Sequence, residues 1–272
     1  PSRIIRFGNK PTSKSLNNLL NKFKDRVVTV GKYKQFNDDT DIYIQSSNRK
    51  FCLAQISGTD KNSNKFWLES ITKNSRKTKA ILDKHRNHNV TEPLIYSDIV
   101  NILCKGDSLF IGNSMPIRDM DSYTAPSNTN IKVLSNRGAS GIDGLIASAC
   151  GMSVESNQKN VLVLGDVSFA HDIGSLVDAS RLNIDLTIVI VNNRGGNIFN
   201  QLPIEEHVKK SYKKFWLTNP NLDTESICKA FRYNYIKTDN ITDFKEKFSH
   251  TLSLKGLKVV EVLCEVKNDN RF

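Results

Sequence analysis

The amino-acid sequence predicts an α/β protein built on a doubly wound parallel sheet, preceded by part of a second α/β domain. Two apolar, β-branched runs carry the first expectation: Val161-Leu162-Val163-Leu164 and Leu186-Thr187-Ile188-Val189-Ile190-Val191. Unbroken runs of this kind suit buried parallel strands, and the residues between them suffice for one crossover helix. The alternation of strand-like and helix-like segments extends over about 180 residues, within the size of one domain. A third observation is the turn chemistry at the end of each run: Gly165-Asp166 after the first, Asn192-Asn193-Arg194-Gly195-Gly196 after the second. Both strands of a βαβ unit end on one edge of the sheet, where open α/β sheets bind ligands.

Taken in order, residues 1–57 read as the C-terminal part of a central α/β domain whose earlier half is missing. Strands are expected at 3–7, 26–30 and 41–44, with a helix over 14–23 that Ser13 can cap. Residues 58–92, rich in Lys, Asn and Ser, read as a linker carrying a surface helix near 66–82. Residues 93–272 make the doubly wound domain. Its expected helices are 96–104, 115–120, 142–152, 174–181, 224–231 and 242–252. Its expected strands are 108–112, 132–134, 161–164, 186–191 and 258–266, with a long polar loop after 191.

Composition sets modest bounds. The chain has 272 residues, 38% hydrophobic and 25% charged, ordinary for a globular protein. No apolar stretch approaches the ~18–20 residues that span a bilayer, so no membrane is expected. The start, Pro1-Ser2-Arg3-Ile4, has neither an initiator Met nor a signal-peptide core, which suggests a fragment or processed form. The net charge is +11, but Lys and Arg are scattered rather than gathered into a basic arm, so no nucleic-acid partner is expected. A basic surface favours anionic substrates. Five cysteines, Cys52, Cys104, Cys150, Cys228 and Cys264, are odd in number and lack a C-x-x-C pair. They indicate a reducing compartment, cytoplasmic, or plastid in a photosynthetic eukaryote.

Asp166, Asn193 and Gly195 form the constellation with the clearest chemistry. Mg²⁺ (or Mn²⁺) takes oxygen ligands in near-octahedral geometry and commonly combines one carboxylate with phosphate oxygens. Asp166 can supply the carboxylate, Asn193 its amide oxygen, and Gly195 a backbone carbonyl. Gly195-Gly196 allows the positive φ that such a turn needs. Either motif alone is equally ordinary loop punctuation after a strand. Their pairing across one crossover favours a cation site with room for a phosphate.

A Gly-Asp followed after a crossover by Asn-Asn resembles the fingerprint of thiamin diphosphate enzymes, although Gly165-Asp166-Val167-Ser168 departs from the wider Gly-Asp-Gly pattern. That departure, with Phe169 and His171-Asp172, is similar to one branch. So are Ser135-Asn136-Arg137-Gly138-Ala139-Ser140-Gly141-Ile142-Asp143-Gly144 and Gly195-Gly196-Asn197-Ile198-Phe199. Gly112-Asn113-Ser114-Met115-Pro116-Ile117-Arg118 and Arg6-Phe7-Gly8-x-x-Pro11-x-Ser13-Lys14 show the same pattern. Together these motifs resemble the 2-succinyl-5-enolpyruvyl-6-hydroxy-3-cyclohexene-1-carboxylate synthase family, across roughly the C-terminal half of a member.

The resemblance implies a thiamin diphosphate- and Mg²⁺-dependent transferase. It would decarboxylate 2-oxoglutarate and add the succinyl semialdehyde unit to isochorismate, in menaquinone or phylloquinone biosynthesis. Residues 93–272 would be the diphosphate- and metal-binding domain. Asp166, Asn193 and the Gly195 carbonyl would hold the cation. Asn113, Ser114, Gly165, Val167, Ser168, Gly196, Ile198 and Phe199 would contact the cofactor, with Ile142 beneath its thiazolium ring. Arg118 and Arg137 would act at the substrate carboxylates, a natural bidentate pairing. Lys14, Phe199 and Leu202 would complete the substrate pocket. By pattern alone, each arginine reads as a surface charge and Ile142 as core. Arg194 and Asn197 depart from many relatives. The resemblance also implies an N-terminal pyrimidine-binding domain of the same enzyme, whose glutamate activates the cofactor across a subunit interface. A homo-oligomer, dimer or tetramer, is therefore expected, and this chain alone is expected to be inactive. The alternatives are another thiamin diphosphate-dependent 2-oxoacid decarboxylase or ligase, or a non-catalytic module derived from one.

Overall fold

The structure, a computed structural model, describes residues 2–34, 40–56, 65–84, 91–124, 129–136, 141–154, 156–201, 208 and 210–264. It divides into two compact units, residues 1–80 and 81–272.

In the first unit, β1 (Ile4–Phe7), β2 (Val27–Gly31) and β3 (Ile42–Gln45) form a parallel sheet in that order. The central strand is the apolar one, with Val27, Val28 and Val30 buried. Between β1 and β2 runs α1 (Lys14–Lys22), whose first turn is capped by Ser13: its hydroxyl accepts from the Leu16 N–H at 3.2 Å. Then come α2 (Asn48–Ile56) and α3 (Lys65–Lys84), neither of which buries a residue. The long α3 matches the surface helix expected around 66–82.

The second unit is a doubly wound α/β domain. Its strands are β4 (Ser108–Ile111), β5 (Lys132–Leu134), β6 (Asn160–Gly165), β7 (Leu186–Asn192), β8 (Asn234–Thr238) and β9 (Leu257–Leu263). They lie in the order β5-β4-β6-β7-β9-β8, all parallel. The helices are α4 (Glu92–Ile102), α5 (Met115–Tyr123), α6 (Leu145–Ser153), α7 (Asp166–His171), α8 (Ser175–Ala179), α9 (Thr224–Ala230) and α10 (Ile241–Thr251). Alternate strand residues feed two cores. Leu109, Ile111, Val161, Val163, Val189 and Val260 pack with Ile95, Ile99, Phe244 and Phe248 of α4 and α10. Phe110, Leu162, Leu164, Ile188 and Val259 pack with Leu145, Ile146 and Leu176 of α6 and α8. Apolar residues are needed on both faces, which is why these strands read as unbroken runs. No helix among the described residues is long and apolar enough to cross a membrane.

Chain order sets the ligand site. From β4 the chain steps to β5 at one edge, then returns past β4 to β6 on its other side. That reversal opens a crevice at the C-terminal ends of β4 and β6.

Four details differ from expectation. Residues 234–238 form an edge strand, β8, paired with β9; its mixed Asn-Tyr-Ile-Lys-Thr lacks the apolar run of a central strand. Residues 166–171, between the strand expected at 161–164 and the helix expected at 174–181, form α7. The helix expected from 96 starts at Glu92, where Pro93 suits the first turn. The helix expected from 142 starts at Leu145, because Gly144 adopts a left-handed φ of 68°. The Asp172 carboxylate then accepts from the N–H groups of Ile146 at 2.6 Å and Ala147 at 3.1 Å, while its other oxygen accepts from the Ser175 hydroxyl at 2.7 Å. Asp172 thus caps α6 from a distant segment and leaves Ile142 in the preceding turn. Asp172→Ala is expected to lower the stability of the domain by about 1–2 kcal/mol, as for loss of a helix cap. Urea denaturation checks this, and a change below about 0.5 kcal/mol, the scale of an uninvolved surface substitution, would argue against the cap.

Candidate functional site

β6 and β7 lie side by side with Gly165 in register with Val191, so the turns at their C-terminal ends emerge together. The turn after β4, Gly112-Asn113-Ser114, ends at the same edge. One cavity is lined by Asn113, Ser114, Asp166 and Asn193, together with the turn at Ile142 and the segment Gly195–Phe199.

Asp166 is 6% exposed, and its Oδ2 has no hydrogen-bond partner among the described residues. Burial pushes its carboxyl up to about 6; N–H groups of Val167 and Gly195 pull it down, and the Glu92 carboxylate raises it further. Asn193 is 8% exposed. Its Nδ2 donates to Oε1 of Glu92 at 2.5 Å, and its Oδ1 is buried with no partner among the described residues. Asn113, 1% exposed, donates through Nδ2 to the carbonyls of Asn136 at 3.1 Å and Gly141 at 2.5 Å, which holds the turn that carries Ile142. Its Oδ1 is also buried without a partner among the described residues. Buried polar atoms are ordinarily paired. Three unpaired oxygens lining one cavity, one of them a carboxylate, are a donor set for a hard cation. No group of three or more His, Cys, Asp or Glu that could hold a metal exists among the described residues, so the set mixes one carboxylate with amides.

The loop after β7 is shaped by backbone constraints. Arg194 has φ 64° and Gly195 φ 127°. A Cβ on Gly195 would collide with the Leu217 carbonyl oxygen, and one on Gly196 would sit 2.9 Å from that of Trp216. The Gly196 N–H donates to the Leu217 carbonyl at 2.6 Å. Asn192 anchors the turn: its Oδ1 accepts from the Arg194 N–H at 3.0 Å, and its Nδ2 donates to Oε1 of Glu261 at 2.6 Å. The Tyr235 hydroxyl donates to the other Glu261 oxygen. Farther along, Asn197 donates to the Asn193 carbonyl at 2.6 Å, Asn200 to Asn197, and Tyr212 to Asn200. Phe199 meets Trp216 edge-on, with ring centroids 5.2 Å apart.

Twelve residues singled out in the sequence line this cavity: Asn113, Ser114, Ile142, Gly165, Asp166, Val167, Ser168, Asn193, Gly195, Gly196, Ile198 and Phe199. Arg118 is not among its lining residues; it sits on α5 and donates to the Ser114 carbonyl. Lys14 is an exposed residue at the start of α1 in the first unit. Arg137 and Leu202 lie outside the described residues. Arg194 is exposed and does not line the cavity, whereas Asn197 is buried and does. Glu92, Tyr96, His171 and Thr218 also line it. Sequence reading passed over Glu92, because Thr91-Glu92-Pro93 signals only a helix start.

The buried carboxylate has a pH signature in the cation-free protein. Its folded-state proton affinity exceeds its unfolded one, so stability falls as pH rises between about 4 and 6, and the penalty is complete above that window. Asp166→Asn is expected to stabilise the cation-free chain by about 1–3 kcal/mol above that window. The gain should shrink toward pH 4. Urea denaturation at pH 4.5 and 7.5 checks this; a gain independent of pH would refute it.

Known proteins bear on this site. Residues 120–262 match the family described as thiamine pyrophosphate enzyme, C-terminal TPP binding domain; thiamine pyrophosphate is thiamin diphosphate. The chain is 34% identical to the 2-succinyl-5-enolpyruvyl-6-hydroxy-3-cyclohexene-1-carboxylate synthase of Bacillus cytotoxicus, over 99% of this chain and 47% of that protein. To the synthase of the same name from Listeria monocytogenes serovar 1/2a it is 35% identical, over 96% and 46%. The chain spans about half the length of the curated relatives it matches. The family match contains Asp166, Asn193 and the loop between them and Phe199, and on it this chain belongs to the thiamine pyrophosphate enzymes, carrying their C-terminal TPP-binding domain.

Proposed function

We propose that this chain is the cofactor-anchoring half of a 2-succinyl-5-enolpyruvyl-6-hydroxy-3-cyclohexene-1-carboxylate synthase. Such an enzyme decarboxylates 2-oxoglutarate and adds the four-carbon unit to isochorismate. The observation that carries the reading is the pair of buried oxygens on Asp166 and Asn193 that have no hydrogen-bond partner among the described residues, in one cavity of a thiamine pyrophosphate enzyme domain. The donor set fits Mg²⁺ or Mn²⁺, which would be held there together with a diphosphate. Gly195 would add its carbonyl, which already accepts the Asn197 N–H at 2.8 Å and can accept twice.

When bound, thiamin diphosphate supplies the nucleophilic carbon and the electron sink that decarboxylation of a 2-oxo acid requires. The chain's own residues bind, orient and shield. Asp166 and Asn193 would hold the cation that fixes the diphosphate end. Ser114, held at φ 72° where a serine is strained, turns the backbone at the end of β4 toward the cavity. Ile142 offers an apolar surface for the cofactor ring from a turn braced by Asn113. Phe199, packed on Trp216, walls the cavity on the side of the β7 loop and limits water. Arg118 and Arg137 would meet the carboxylates of the two acids. Arg118 Nη1 donates to the Ser114 carbonyl, which leaves other guanidinium N–H groups to meet a carboxylate.

The cofactor's pyrimidine end and its activating glutamate are assigned to an N-terminal domain of the same enzyme, in an oligomer. The 272-residue chain is therefore expected to bind the cation and diphosphate yet give no carboligation. Measurable product from the purified chain, with both substrates, cofactor and Mg²⁺, would refute this. In the full-length parent, the same mixture is expected to yield product. Activity only on another 2-oxo acid and acceptor would reassign the enzyme to a different thiamin-dependent decarboxylase or ligase. Asp166→Ala in that parent is expected to weaken thiamin diphosphate binding at least about tenfold, the lower range for damaged metal sites. Unchanged affinity by titration calorimetry would remove Asp166 from the cation site.

A further inference from the structure

Glu92 opens α4 and is 2% exposed. A glutamate that served only the helix dipole could stand in solvent, where the N-terminus already favours it. Instead its Oε1 accepts from Nδ2 of Asn193 at 2.5 Å, across 101 positions of sequence. A side-chain amide has two ends, and only the oxygen end can ligate a hard cation. Asn193 gives its nitrogen to Glu92, and its oxygen is left buried with no hydrogen-bond partner among the described residues. The reverse orientation would set the amide oxygen against a carboxylate oxygen and would turn two N–H donors toward the place of the cation. Asn197 fixes the same residue from the other side by donating to the Asn193 carbonyl at 2.6 Å.

We propose that Glu92 is a positioning residue: it holds the Asn193 side chain with the amide oxygen, and not the nitrogen, facing the cation. This rests on the reading of Asp166 and Asn193 as cation ligands. Outer partners of metal ligands orient them in this way, and their removal costs about 10- to 100-fold in metal affinity.

The test is Mn²⁺ binding to the 272-residue chain in the presence of pyrophosphate, read from loss of the free Mn²⁺ paramagnetic resonance signal. Glu92→Ala is expected to weaken binding about 10-fold or more. Glu92→Gln keeps an acceptor oxygen for Asn193 and is expected to stay within about threefold of the parent. Because Glu92 acts through Asn193, Glu92→Ala should add no further loss to Asn193→Ala, whereas a residue needed only to start α4 would add its loss in full. If Glu92→Ala does not fold, Glu92→Leu fills a similar volume without an acceptor, and the same loss is expected. Weakened binding in Asp166→Ala and Asn193→Ala, with none in Glu92→Ala or with full additivity in the double variant, overturns the role of Glu92 and leaves the cation site standing. Unchanged binding in Asp166→Ala, or no Mn²⁺ binding by the parent chain, overturns the site and the role of Glu92 with it.

Discussion

Asp166 carries a carboxylate into a place that water barely reaches, and the fold gives it N–H groups of Val167 and Gly195 but, among the described residues, no cationic side chain. An uncompensated buried charge is among the costlier features a domain can keep. The N–H groups offset part of that cost, and a cation bound there would offset more. The surroundings reinforce this polarity. Glu92 is a second buried carboxylate nearby, and Asn193 and Asn113 each leave an amide oxygen unpaired among the described residues. All three residues line one cavity.

The sheet achieves that by register and the loop by hydrogen bonding. With Gly165 opposite Val191, the turns after β6 and β7 are adjacent, and no loop needs to stretch. The β7 turn is then tied at several points. Glu261 of β9 holds Asn192, which holds the Arg194 N–H; Asn197 and Asn200 continue the series to Tyr212. Only glycine fits at 195, where a side chain would strike the Leu217 carbonyl. The turn's geometry is thereby set by the protein's own contacts, which would lower the ordering cost of binding.

Much of this was legible in the chain. Strands 161–164 and 186–191 announce themselves because both faces are buried, so nearly every position is apolar. Of the twelve cavity residues named from the sequence, Asp166, Asn193, Gly195 and Gly196 are marked out by turn chemistry, and the other eight by motifs that resemble a known family. The elements that escaped notice had weak local signals. β8 is an edge strand with a polar composition, α7 has only six residues, and α6 begins late because Asp172 supplies its cap from beyond β6. Arg118, named from its motif, is engaged with the Ser114 carbonyl of its own helix start.

By itself, then, the sequence determined the α/β class, most strand and helix positions, and the two turns that end in Asp166 and Asn193, because periodicity and turn chemistry are local properties. The tertiary structure alone decided the strand order with β9 between β7 and β8, the capping of α6 by Asp172, and the meeting of Glu92 with Asn193. Each of these joins residues far apart in the chain through burial and hydrogen bonding. Their pairing is selected by the packing of the whole sheet, and neither partner's neighbours in sequence record it.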